Sequence, residues 1–304
     1  MPKSINSFYL RMIHGTVKNL GGTISMKLLF NITLSLIFLA GCSVPRPNPN
    51  IYSIDPDSSI IALVLGEGIA RSYAHVGVIK ALEEEEIPLH LVVGSGTGAL
   101  MAALYANKKS ANDLEWHAMN FKKETYMNFK IDRFLTQRLV HSKIEDGPIP
   151  LVIVTTDLKT GTPFLIDKGP ISKAVQASLV IPGFFEPISY GDKTLVSGEI
   201  SNGLPVDVAI HRGADLIIAV DLMQGIESYA FRREKDITLQ SYKITSSALT
   251  KKQLTQAHLV IQPEVSKIDF FDFSRKREAM LAGYDATKKM IPEIRKILNL
   301  QEKD

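Results

Sequence analysis

The chain of 304 residues contains a single cysteine, Cys42. One thiol cannot close an internal disulfide. It cannot build a thiolate zinc site either, because those take two to four cysteines at tight spacing. The seven histidines are scattered and show no metal-ligand spacing. No strong excess of charge is present: 35 Lys and Arg stand against 32 Asp and Glu, a net of +3. Four of those cations (Lys3, Arg11, Lys18 and Lys27) lie in residues 1–41, which hold no acid, so residues 42–304 carry 31 basic against 32 acidic side chains. A body so near neutrality has no basic footprint for nucleic acid, and none is expected as a partner. A membrane-spanning run is also missing. The apolar stretch Leu28–Leu39 is shorter than the ~20 residues a span requires, and Asn31, Thr33 and Ser35 interrupt it. What the chain does have is 45% hydrophobic residues. That is enough to fill a core, which excludes wholesale disorder.

The N-terminal region reads as an export address. Met26-Lys27 opens a short positive region, the apolar run follows, and Leu39-Ala40-Gly41-Cys42 closes it. A charged start, a short apolar core and a small-residue cleavage site make a secretory signal. Cysteine directly after Leu-Ala-Gly resembles the lipobox of bacterial lipoproteins. That resemblance implies a diacylated Cys42 and a signal over 26–41 cut before it. Residues 1–25 then form an upstream extension or a misassigned start, with Met26 the true one. Pro45, Pro47 and Pro49 predict an extended tether over 42–58. Ser43 stands where lipoproteins kept in the inner membrane often carry Asp. The expected location is therefore the periplasmic face of the outer membrane of a Gram-negative bacterium. Several acyl chains on Cys42 would anchor the chain in membrane lipid, where one chain alone is marginal.

The remainder alternates strands and helices. Ile60–Leu65, His90–Val93, Pro150–Val154 and Leu216–Val220 are short apolar runs of the kind found in buried parallel strands. Leu195-Val196 and Leu259–Ile261 are further strand candidates. Helices are predicted over about Ser72–Glu86, with Val76, Ile79 and Leu82 on one face, over Ala99–Ala106, and over about Ser274–Leu298. Such alternation predicts an α/β fold with a mostly parallel central sheet and helices on both faces, in one domain over 59–304. The run Glu83–Glu86 reads as a solvated helix end.

Chemistry is expected at the turn after the second strand. Strand, sharp glycine turn and helix over Val92–Leu100 form the setting of a nucleophile elbow, G-x-S-x-G, in which glycines let a strained turn lift a serine clear of the sheet. Here the turn reads Gly94-Ser95-Gly96-Thr97-Gly98. The middle residue is glycine and has nothing with which to attack.

At these residues the chain resembles the patatin-like phospholipase family. Leu63–Leu65, Ala70-Arg71 and Ala74–Val78 match that family's oxyanion loop and first helix, and Val92–Ala106 its elbow and following helix. Thr156–Leu158 with Thr160-Gly161, then Ala177-Ser178, Ile181–Gly183, Phe185 and Pro187, also match. Leu195-Val196, Gly198, Asn202 and Leu204–Val206 resemble the segment carrying the family's aspartate, and Phe273-Ser274 with Ala282–Tyr284 and Ala286 the C-terminal helix of bacterial members. The likeness runs from about 59 to 297. It implies a patatin-like three-layer fold, a lipid acyl hydrolase ancestry, no cofactor, and a Ser–Asp dyad assisted by a G-G-G-x-[RK]-G loop. Carried onto this sequence, the serine position falls on Gly96 and the aspartate position on Ser197, within Ser197-Gly198-Glu199. The loop reads Glu67–Ser72, where only Gly68 and Arg71 fit, and Ile69 replaces a glycine.

Losing the nucleophile costs on the order of 10⁶ in kcat, and each oxyanion donor about 10²–10³. Glu67 would bring negative charge to the place where an oxyanion must form. The concerted changes point to lost hydrolysis, and two readings stay open. In the first, the domain is a pseudoenzyme that binds a fatty acid or phospholipid in the vestigial cleft, or serves as a scaffold. In the second, it is an active lipid esterase with a rearranged site drawn from Ser95, Ser197 and Glu199. Ser95 lies one residue early, about 3.8 Å along the chain, where a misplacement of about 1 Å already costs ~10². His75 reads as a packed helix residue, and Arg71 as a tether for the loop. Trp116, Phe121, Tyr126, Phe129 and Phe134 read first as core, with an apolar lip facing lipid as the alternative.

Overall fold

The computed structural model describes residues 54–225 and 234–301. The signal, Cys42 and most of the 42–58 tether lie outside the described residues. Along the chain, β1 (Ile61–Leu65) leads through a 3-10 turn (Ile69–Tyr73) into α1 (Ala74–Glu84), and β2 (Leu91–Ser95) leads into α2 (Thr97–Ala106). Three short helices follow: α3 (Ala111–Asn120), α4 (Lys123–Met127) and α5 (Ile131–Thr136). Then come β3 (Leu151–Asp157), β4 (Thr162–Ile166), α6 (Ile171–Ser178), β5 (Ile188–Tyr190), β6 (Lys193–Ser197), α7 (Glu199–Asn202) and α8 (Val206–His211). The chain closes with β7 (Leu216–Val220), α9 (Glu234–Leu254), β8 (Leu259–Ile261) and α10 (Lys276–Ile297).

The strands form one sheet in the order β5-β6-β3-β2-β1-β7-β8, with β4 on the other edge of β3. The run β3-β2-β1-β7-β8 is parallel, while β4, β5 and β6 join antiparallel. This is the α/β architecture that the strand–helix alternation predicts. Every residue of β1, β2, β3 and β7 is buried, because both faces of the sheet are covered. Alternate side chains enter two different cores. Ile61, Leu63 and Leu65 join the larger one with α1, α2 and α10, whereas Ala62 and Val64 pack with Val206, Val208 and Ala209 around α8. The two-residue period of a strand thus builds three layers.

Two glycines set the closest helix crossing. A Cβ on Gly77 of α1 would lie 2.6 Å from the Tyr284 nitrogen, and one on Gly283 of α10 would lie 2.8 Å from the Ala74 carbonyl carbon. The backbones of α1 and α10 therefore touch, where any larger residue would hold them apart.

In the α3–α5 segment, Ser110 caps α3 by accepting from the Asp113 N–H at 3.2 Å. Phe121, Tyr126 and Phe134 are buried together, the Phe121 and Phe134 rings meeting edge-on at 5.0 Å, and Phe129 stacks on Phe185. Trp116 departs from the core expectation and is 60% exposed. It stands across α3 from the buried Ala111, Leu114 and Ala118. Helix α9 has an inverted pattern: its buried positions are Gln240, Lys243, Ser246, Ser247 and Thr250, while Ile237 and Ile244 face outward. Among the described residues no helix is long and apolar enough to cross a membrane.

Candidate functional site

Three connections converge at the C-terminal end of the parallel strands, where open α/β sheets place their sites. β1 and β2 run in register with Leu65 opposite Gly94, and β2 and β3 with Ser95 opposite Val154. One residue further along β3, β2 turns away and β6 takes its place, so Thr155 pairs with Ser197. The β1–α1 loop, the β2–α2 turn and the end of β6 are thereby brought together.

The turn keeps the elbow shape. Gly96 has φ 58° and ψ −132°, a conformation that only glycine adopts without strain. Its N–H donates to Ser178 Oγ at 2.9 Å, and Ser178 Oγ donates onward to the Val154 carbonyl at 2.7 Å. Gly98 is required by close approach: a Cβ there would sit 2.7 Å from the Leu65 carbonyl carbon. The turn has the shape of a nucleophile elbow, with glycine at its apex.

The space is filled. A Cβ built on Gly96 would overlap Glu67 Oε2 and lie 2.6 Å from Glu67 Cδ. The Glu67 side chain folds back over its own loop and collects the donors there. Oε1 accepts the N–H of Gly68 at 2.9 Å, the N–H of Ile69 at 2.6 Å and the Thr97 hydroxyl at 2.7 Å. Oε2 accepts the Thr97 N–H at 2.7 Å. Three backbone N–H groups and one hydroxyl thus converge on one buried carboxylate, at the short lengths of charge-assisted bonds. Ile69 sustains φ 47°, costly for a β-branched residue. Its strained backbone aims the N–H inward as a glycine would. Ser72 Oγ contacts Thr97 Oγ1 and closes the network.

Two neighbouring residues, Arg71 of the loop and His75 of α1, act elsewhere. The Arg71 N–H bonds the Gly68 carbonyl. Its buried guanidinium donates to the carbonyls of Ile268, Gln224 and Ser266 at 2.8–3.0 Å and stacks on Phe270. Arg71 therefore ties the loop down to the segments around Gln224 and Ser266–Ile268. His75 is fully buried, and its Nε2 donates to the Gly66 carbonyl at 2.8 Å. Burial lowers its pKa to about 4, opposed by that hydrogen bond. It packs as a neutral helix residue that holds the end of β1.

The fallback residues are neighbours without forming a dyad. Ser95 is fully buried at the end of β2, and its Oγ has no hydrogen-bond partner among the described residues. That oxygen points toward Gly198, whose Cβ would lie 2.6 Å away, and not toward the elbow apex. Ser197 Oγ accepts the Glu199 N–H at 3.3 Å. Glu199 is buried, and its pKa is raised well above the carboxylate range, first by burial and then by the charge of Glu67. Ser246 and Tyr242, with Lys243, all from α9, pull the other way. Burial also raises the Glu67 pKa, against the Thr97 hydroxyl and the three N–H donors. Of the pair, Glu67 holds the donors that favour its anion, while burial and the Glu67 charge both raise Glu199.

Sequence reasoning placed Gly96, Ser197 and the charge of Glu67 at one site. It missed Thr97, which donates twice to Glu67, Ser178, which holds the elbow, and the α9 side chains around Glu199. The Thr97 hydroxyl bonds the Glu67 carboxylate, yet that carboxylate fills the donors an oxyanion would need. Glu67 cannot act as base and leave the hole open at once. Among the described residues no group of His, Cys, Asp or Glu could hold a metal ion.

Comparisons with known proteins agree with this geometry. Residues 63–210 match the family model of patatin, the patatin-like phospholipase. The human patatin-like phospholipase domain-containing protein 6 is 33% identical over 181 residues, covering 53% of this chain and 13% of its own. An uncharacterized NTE family protein of Mycobacterium tuberculosis is 30% identical over 194 residues, covering 59% and 54%. A second from that organism is 26% identical over 266 residues, covering 75% and 46%. The chain thus spans little of the human relative and about half of the mycobacterial ones. The matched region contains all three connections of the site and is a patatin-like phospholipase domain.

Proposed function

We propose that this patatin-family domain has lost Ser–Asp hydrolysis and works as a lipid-binding or scaffold pseudoenzyme, held through acylated Cys42 at the periplasmic face of the outer membrane. One observation carries the reading: the anion hole is occupied by the chain's own Glu67 carboxylate, in the space a nucleophilic side chain on Gly96 would need. Nucleophile, base and vacant hole are lost together, and the oxyanion hole alone supplies little turnover without them. The donor set nevertheless survives, and its geometry suits a carboxylate. Among acyl ligands this favours a fatty acid, whose carboxylate could take the place of Glu67.

The test is turnover of a short-chain ester and of a phospholipid by the purified chain, together with labelling by a serine-reactive fluorophosphonate. Neither should exceed a Ser95→Ala/Ser197→Ala/Glu199→Ala variant. Turnover that disappears with Ser95→Ala alone would establish the rearranged esterase instead. The anchor is tested separately: Cys42→Ser should abolish palmitate labelling, and labelling that persists refutes the lipobox.

A further inference from the structure

Trp116, the only tryptophan of the chain, and Val140 are among its most exposed large apolar side chains, at 60% and 63%. Both line one surface pocket of about 620 Å³, shared with Lys108, Asp113, His117 and Arg138. Clustered exposed apolar groups mark interaction sites, and here they border the Lys108–Asp113 pair and Arg138. Lys108 Nζ pairs with Asp113 at 2.6 Å. Arg138 makes no ion pair among the described residues. Its guanidinium lies 4.0 Å above the Phe134 ring and donates to the Phe134 carbonyl at 2.9 Å, which fixes its plane. Arg138 Nε and His117 Nδ1 have no hydrogen-bond partner among the described residues. The surroundings are basic as well. Residues 108–143 hold eight Lys and Arg against four Asp and Glu, in a body (residues 42–304) whose net charge is −1.

We propose that this pocket docks the domain on a bilayer, seating the phosphate of an anionic phospholipid on Arg138 and Lys108 while Trp116 and Val140 enter the interfacial layer. A planar guanidinium with no ion pair among the described residues matches phosphate oxygens through its terminal N–H groups. Indole rings partition to the headgroup level, and clustered Lys and Arg draw a surface toward anionic lipid. A site for free phosphate would account for Arg138 but not for two apolar side chains on its rim. The proposal uses no residue of the vestigial catalytic site, so it stands or falls apart from the loss of hydrolysis.

Trp116 supplies the readout, since all tryptophan emission comes from this pocket. The full chain is reconstituted into phosphatidylcholine vesicles containing increasing phosphatidylglycerol, some with brominated acyl chains. Emission should shift to the blue and be quenched by bromine as phosphatidylglycerol rises, and added salt should reverse both effects. Lys108→Gln with Arg138→Gln should show neither effect at the fraction that saturates the wild type, with an unchanged circular dichroism melt. Identical emission in phosphatidylglycerol and phosphatidylcholine overturns the proposal on the wild type alone. Inorganic phosphate that shifts the emission equally in detergent without lipid overturns it in favour of a soluble-phosphate site.

Discussion

Glu67 and Gly96 share one space: the carboxylate of the first lies where the Cβ of the second would be. The two positions are 29 residues apart in sequence and belong to different strand–helix connections. Their chemistry is nevertheless coupled, because a glycine at the elbow is what admits the carboxylate to the hole.

Restoring a serine should therefore fail unless Glu67 is also removed. Gly96→Ser alone has to expel the carboxylate from four donors and place a side chain at positive φ. The strained backbone costs about 1–3 kcal/mol, and unmaking a charge-assisted hydrogen bond adds to it. Adding Glu67→Gly should recover part of that loss, which a double-mutant cycle by urea unfolding will show as a coupling energy. Gly96→Ser/Ser197→Asp should not label with fluorophosphonate while Glu67 is present and should label once Glu67→Gly is added. Equal labelling with and without Glu67 would mean that the carboxylate does not block the hole.

The pH dependence of stability identifies the protonated member of the buried pair. A carboxyl whose folded pKa is raised binds more protons folded than unfolded, so its contribution to stability falls as pH rises above the ordinary carboxylate range. Burial, with Glu67 second, raises Glu199 in this way. Glu199→Gln, neutral at every pH, should melt higher than the wild type at pH 8, with the difference shrinking toward pH 5. A variant that melts lower at pH 8 would show that Glu199 is ionised and stabilising in the fold.

The crossing of α1 and α10 gives a prediction far from the site. Ala at Gly283 must push its Cβ against the Ala74 carbonyl, which is backbone and cannot rotate away. Separating the helices should cost about 1–3 kcal/mol, the usual penalty of overpacking. Urea unfolding of Gly283→Ala measures it directly, and an unchanged midpoint would show that the two backbones are not in contact.

The legible parts of this molecule are those in which local pattern and burial agree. Leu216–Val220 and Leu259–Ile261 are strands over the predicted residues, because apolar β-branched runs between turns have one use in a covered sheet. The elbow was legible because its glycines are imposed by local geometry. Helix α9 escaped because a search for an apolar stripe finds none: its buried positions are Gln240, Lys243, Ser246, Ser247 and Thr250, of which Lys243 and Ser246 act on Glu199. Strand β4 escaped because four of its five residues are not buried. The charge of Glu67 could be read, but not its fold-back onto Gly68, Ile69 and Thr97, which needs the β1 and β2 connections side by side. Trp116 escaped because the core preference of aromatics is a preference of type, whereas its exposure follows from its place on α3.

His75 opposes Glu199 in its effect, so each variant is compared with the wild type at the same pH. The imidazole is fully buried, its Nε2–H is committed to the Gly66 carbonyl, and burial lowers its pKa from 6.5 to about 4. A base with a depressed folded pKa binds fewer protons folded than unfolded, so stability is present above pH 6.5 and is lost as pH falls toward 4. At about 1.4 kcal/mol for each unit, the loss over that window is on the order of 3 kcal/mol. His75→Gln should weaken the fold at pH 7.5, because no ring fills the site beneath the β1–α1 loop, but should lose much less on going to pH 4.5. Urea midpoints at the two pH values decide it: equal acid losses in variant and wild type would place the acid sensitivity on another residue and leave His75 a packing group alone.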